Sequence, residues 1–154
     1  MNTTQTITLL AGAIHVPLAL TVWRMLHRRP ACLPVTLWVL GSLAMGAGAI
    51  AFAARGVLPD WATYELAAGL IAGSMLLRTV ALRIDLSWPP HGAWFAGLWV
   101  LVLAVYTLCR HLLGVAGNRP VALLEIIGLI SLLGWHALAA GRQLPSQRHG
   151  AGRD

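Results

Sequence analysis

Apolar positions in this chain come in long blocks, and polar positions are confined to short turns between them. The block from Pro34 to Ala54 runs for about twenty residues without an ionisable side chain. That is the length a helix needs to cross roughly 30 Å of hydrocarbon at 1.5 Å per residue. The next stretch, Arg55 to Glu65 (RGVLPDWATYE), breaks the helix at Gly56, Pro59 and Asp60. Trp61 and Tyr64 within it are amphipathic rings suited to the headgroup level. A second apolar block, 61–82, follows at once.

The same pattern predicts three more spanning helices. Residues 7–25 form the first, interrupted by His15 and Pro17; 91–108 form the fourth, carrying Trp94, Trp99 and Tyr106; Pro120 opens the fifth, which runs to about Ala140. Cys109, Arg110 and His111 are expected to end the fourth helix. The fold class expected is therefore all-α: a polytopic helical membrane bundle of about five helices, with four or six left open. Residues 1–141 make up the membrane domain, and 142–154 are expected to form a flexible cytoplasmic tail, too polar to pack a core.

Composition agrees. Hydrophobic residues are 58% of the chain, charged ones 10%, and mean hydropathy is +0.73, which excludes an ordinary soluble domain. All eleven basic residues are Arg, giving a net charge of +6. They flank apolar blocks instead of forming an aromatic-interleaved patch, so nucleic acid is rejected as a partner. Their distribution sets topology: with the N-terminus outside, Arg24, Arg28, Arg29, Arg78, Arg83, Arg142, Arg148 and Arg153 lie inside, against Arg55, Arg110 and Arg119 outside. The positive-inside rule thus gives N-out, C-in. Arg78, within a turn or two of the inner surface, is expected to snorkel towards it.

Small residues predict how helices pack. Gly41 and Gly48 smooth the second helix, and Gly69 and Gly73 form a GxxxG pair on the third, so these two are expected to pack together as an antiparallel hairpin.

Ionisable groups inside a bilayer cost about 2.5 to 3.5 kcal/mol each on insertion scales. His15, Glu125 and His136 are the candidates. At 1.5 Å per residue, His15 lies roughly 12 Å and Glu125 about 8 Å below the outer surface, with His136 about 24 Å down. A transmembrane haem needs two axial His at matching depth, which His15 and His136 do not have. His15 and Glu125 share a depth, so they are expected to hydrogen-bond, with Glu65 just above, as a site for a small ligand, a quinone headgroup or a proton. His136, beside Trp135, reads as an interface residue.

No cofactor is expected; haem and quinone are the chemistries weighed against that. No metal site is expected, since Cys32 and Cys109 have no ligand spacing and fall on opposite membrane sides, which also argues against a disulfide. No GxSxG, HExxH or Walker pattern occurs, and the chain is not expected to be an enzyme.

Four segments, Leu18 to Arg29 (LALTVWRMLHRR), Leu37 to Leu43 (LWVLGSL), Ala51 to Trp61 (AFAARGVLPDW) and Ala81 to Leu86 (ALRIDL), together resemble the N-terminal membrane region of bacterial diguanylate cyclases and sensor histidine kinases. The resemblance covers about residues 7 to 86. It implies a sensory module of the bacterial inner membrane, with partners that are the lipid bilayer, a second copy of the chain, and a cytoplasmic output domain or another membrane subunit. No GGDEF signature, phosphoacceptor His segment or coiled-coil connector is present, so any output chemistry would belong to a different domain. The functional expectation is a non-catalytic signal-input module in which a ligand or proton at Glu125, His15 and Glu65 changes the packing of the second, third and fifth helices. The alternative is a small subunit or quinone-binding component of a larger redox or transport complex.

Overall fold

A computed structural model describes residues 3–26 and 33–148. The helices are α1 (Thr3–Leu26), α2 (Leu33–Ala53), α3 (Ala67–Asp85, entered through a π-helical turn at Ala62–Leu66), α4 (Gly92–Gly117) and α5 (Arg119–Arg148). Each contains a span of 20 to 24 residues long and apolar enough to cross a bilayer. The protein is an all-α, multi-pass membrane bundle. The basic loop with His27, Arg28, Arg29 and Cys32 lies outside the described residues, as does the terminal segment 149–154.

The third span is the hub: 39% of it is buried, against 11% in the first, fourth and fifth. Among the described residues α3 touches α2, α4 and α5, whereas α1 touches α2 alone. The core sits where Ala72 and Leu76 of α3 meet Phe95 of α4 and Leu129 of α5. Two ends can be distinguished by their charges. The Arg55 end carries the α2–α3 turn and the α4–α5 turn; the Arg83 end carries the start of α2 and the α3–α4 loop.

Three sequence expectations change. First, α4 continues past Leu108 and stays helical until Gly114, whose φ of 71° and ψ of 179° kink the chain. Arg110 does not terminate the helix because Glu65 neutralises it in place. Second, helical backbone in α5 carries on beyond Ala140 to Arg148, through part of the segment expected to be a tail; Arg142, Gln143 and Leu144 are good helix formers once an apolar helix precedes them.

Third, the glycines pair differently. A Cβ on Gly41 would lie 3.0 Å from the Ser74 carbonyl oxygen, and one on Gly48 would lie 3.0 Å from that of Ala67, so α2 does close against α3 through its glycines. Gly69 and Gly73, however, face α4: the Trp99 indole lies over them, 3.3 Å from a Gly73 Cβ position, with Nε1–H donating to the Gly69 carbonyl at 2.8 Å. The GxxxG step is a groove for a tryptophan because the indole, too large for a helix–helix seam of side chains, needs a bare backbone to reach a carbonyl. α1 in turn meets α2 where Gly12 crosses Gly46.

Candidate functional site

The Arg55 end concentrates charge. Arg110 of α4 forms an ion pair with Glu65, lies 3.7 Å from Asp60, and stacks over the Tyr64 ring at 4.5 Å. The π turn explains why one cation meets neighbours in sequence: its wider winding turns Tyr64 and Glu65 towards α4 together, while Thr63, fully buried, donates to the Asp60 carbonyl. Glu65, expected near a ligand site, is thus committed to Arg110 through one oxygen; its Oε2 has no hydrogen-bond partner among the described residues.

Below this cluster a cavity of about 200 Å³ opens between α3, α4 and α5. Phe52, Tyr64, Ile71, Leu103, Tyr106 and Leu129 give it an aromatic and aliphatic wall, and Glu125 supplies the one carboxyl group in that lining. Glu125 Oε1 is buried without a hydrogen-bond partner. Above, a smaller cavity of about 100 Å³ shares Phe52, Tyr64, Tyr106 and Ala122 with it and adds Arg55, Arg110 and Asn118. Asn118 Oδ1 is likewise buried and unpartnered. A polar pocket therefore adjoins an apolar chamber with one carboxyl group in its wall. An engineered cavity of about 150 Å³ holds benzene, and drug-sized sites run from about 300 Å³, so the chamber accommodates a single ring.

His15 is not part of this site. It lies on α1, which does not reach α5, and its Nδ1 bonds the Ala11 carbonyl at 2.8 Å, one helical turn back. The expected hydrogen bond to Glu125 is absent because depth along the bilayer fixes one coordinate only; α2 and α3 stand between them laterally. His15 instead lines a groove of about 490 Å³ between α1 and α2, with Leu18, Val22, Trp38, Ser42 and Arg78.

Arg78 is the residue that sequence reasoning placed wrongly. Its stem lies over Gly41, Nη2 donates to Ser42 Oγ at 3.2 Å, and the guanidinium sits 5.5 Å from the centre of the Trp38 ring. Gly41 is level with Ser74, one turn before Arg78, so the side chain turns back into the bilayer instead of snorkelling out. The available signal was the pairing of Gly41 and Ser42 with Ser74 and Arg78 on the opposing helix, visible only once the register of α2 on α3 is known.

At the Arg83 end, Arg83 Nε donates to the Pro89 carbonyl at 2.8 Å and Nη1 approaches His136 Nε2 at 3.0 Å. His136 is buried, packs against Phe95 and Trp88, and bonds the Leu132 carbonyl through Nδ1 at 2.8 Å. It is an inter-helix clasp at the Arg83 end, beside the α3–α4 loop.

Of the three residues expected to form one site, Glu125 lines the chamber, Glu65 belongs to the ion pair above it, and His15 lies apart. Tyr64, Tyr106, Phe52 and Arg110 are the partners sequence reasoning missed. No group of His, Cys, Asp or Glu among the described residues could hold a metal ion. Compared with protein family models, curated proteins and solved structures, the chain matches none.

Proposed function

We propose that the chain is a membrane-embedded sensory module, and that its input is a small single-ring molecule bearing a hydrogen-bond donor, taken into the chamber beneath Arg110. The observation carrying this is Glu125: a buried carboxyl oxygen without a partner, on the wall of an otherwise apolar cavity of about 200 Å³. Leaving a buried acceptor unmade costs about 1–3 kcal/mol, a penalty that a ligand O–H or N–H removes. Walls from α3, α4 and α5 make the occupant a spacer between the hub and two lightly buried helices. A ligand shifts such packing only by its different affinity for the two arrangements. The partial resemblance of residues 7–86 to the membrane region of diguanylate cyclases and sensor kinases supports signal input, and the arginine bias of eight to three supports N-out, C-in in a bacterial inner membrane. No catalytic role is proposed.

The test uses phenol and benzene as probes in nanodiscs, by ligand-observed NMR, with spin labels at Ile84 of α3 and Ala139 of α5. Phenol should bind at least about tenfold more tightly than benzene, a difference of about 1.4 kcal/mol, lose that margin in Glu125→Leu, and change the label distance. Equal binding of the two probes, or binding with an unchanged distance, would refute the sensory reading.

A second reading, subunit of a larger membrane complex, draws on Gly97 of α4 and Gly128 and Gly134 of α5, whose Cβ positions meet nothing within 4 Å. Bare glycine faces suit close helix approach. A stoichiometric foreign subunit in native mass spectrometry of gently solubilised protein would favour it.

A further inference from the structure

The α1–α2 groove has no share in the Glu125 chamber and poses a different electrostatic question. Arg78, within the third span, turns its guanidinium onto Ser42 of α2, and its Nε is buried without a hydrogen-bond partner. Among the described residues, the polar groups lining the groove with it are Ser42, His15 and the Trp38 indole. The charge is also unpaired: the acidic side chains of the described residues are Asp60 and Glu65 with Arg110, Glu125 at the far side of α3, and the exposed Asp85 at the end of that helix. No acidic residue occurs in α1 or α2 at all.

Position narrows the complement. Arg78 lies seven residues before Asp85, so its Cα is about 10 Å from the Arg83 end of α3 at 1.5 Å per residue. The helices exceed the hydrocarbon thickness slightly, since 24 residues of α1 span about 36 Å against a core of about 30 Å. The guanidinium is therefore within reach of a headgroup drawn modestly inwards from the leaflet at that end. The rest of the groove wall, Leu18, Val22 and Val35 among them, is aliphatic and suits the apolar part of such a lipid. A guanidinium is the side chain best matched to a phosphate, through paired N–H donors.

We propose that the groove between α1 and α2 binds the phosphate of a net-anionic phospholipid from the leaflet at the Arg83 end, with Arg78 as its principal ligand and Ser42 holding the guanidinium in place. Arg78 uses Nη2 on Ser42 and the ring of Trp38 on one side and buries Nε against α2, which leaves Nη1 to meet a phosphate oxygen.

Native mass spectrometry of the full chain, with phosphatidylglycerol, phosphatidylcholine or inorganic phosphate titrated into the same detergent, tests this. Phosphatidylglycerol should be retained at least tenfold more tightly than phosphatidylcholine, and Arg78→Gln should abolish that preference. If Arg78→Gln fails to fold, Leu18→Trp decides: it fills the groove from an exposed position on α1, leaves Arg78 intact, and should lower phosphatidylglycerol retention to the phosphatidylcholine level. Equal retention of both lipids by the unaltered protein, or a preference that survives Leu18→Trp, would overturn the proposal. So would displacement of the lipid by equimolar inorganic phosphate, which would mark a site for small anions instead.

Discussion

Arg83 Nη1 lies 3.0 Å from His136 Nε2, and the opposite ring nitrogen of His136 lies 2.8 Å from the Leu132 carbonyl. A guanidinium only donates and a carbonyl only accepts, so the tautomer that makes both hydrogen bonds donates from Nδ1 and accepts at Nε2. That tautomer ties α3 to α5, and the second arm of Arg83, on Pro89, ties both to the loop entering α4. Three elements are joined by two side chains.

His136→Ala should therefore lower stability by about 2 kcal/mol, combining a lost hydrogen bond to a charged donor with lost packing on Phe95 and Trp88. Unfolding by titration of SDS into mixed micelles would measure it. His136→Phe, which keeps the packing but not the acceptor, should recover part of the loss; full recovery would show that the hydrogen bond contributes nothing.

The Glu65–Arg110 pair predicts a different signature. Both side chains are mostly buried, at 19% and 12% exposure, and removing one partner from a buried pair typically costs about 3–5 kcal/mol because the other charge is stranded. Glu65→Gln and Arg110→Gln should each destabilise by about 3 kcal/mol, with Asp60 at 3.7 Å softening the loss in the first. The double variant should be no worse than either single one, giving a coupling energy of about 3 kcal/mol in a double-mutant cycle. Additive losses would mean that the two residues stabilise the fold separately.

How far the sequence carries can be judged from these same residues. Five spans were legible because the apolar period over twenty residues is set by bilayer thickness alone, with no tertiary information needed. Glu125 was legible as a misfit in such a span. Its neighbours were not, since which face of a helix meets which partner depends on rotation and order in the membrane plane, and depth says nothing of either. His15 failed for that reason. Arg110 failed for another: a charge ends a membrane helix only when unpaired, and its partner Glu65 was assigned elsewhere.

The glycines separate positions that look alike in sequence. A Cβ at Gly41 would meet the Ser74 carbonyl oxygen at 3.0 Å, and one at Gly48 would meet Ile71 Cγ1 at 2.9 Å and the Ala67 carbonyl oxygen at 3.0 Å; at Gly69 the nearest atom is a Leu103 methyl at 3.5 Å. Backbone cannot yield, so Gly41→Ala and Gly48→Ala should force α2 off α3 at a cost of about 1–3 kcal/mol. Gly69→Ala makes an ordinary contact and should stabilise by about 0.5–1 kcal/mol through its helix propensity. Comparable losses at all three positions would contradict the assignment of Gly41 and Gly48 to the α2–α3 seam and of Gly69 to α4.

Glu125 sets stability against binding. Burying its unpartnered oxygen penalises the protein without ligand, and a leucine of similar reach would extend the aliphatic lining of Ile71, Leu103 and Leu129. Glu125→Leu should raise stability by about 1–3 kcal/mol while removing the preference for phenol over benzene. Glu125→Gln keeps an amide oxygen to accept from the ring hydroxyl, so it should retain most of that preference with little change in stability. If Glu125→Leu instead destabilises the protein, the carboxyl group is satisfied within the bundle, its role is structural, and the chamber has no unpartnered carboxyl oxygen with which to choose a ligand.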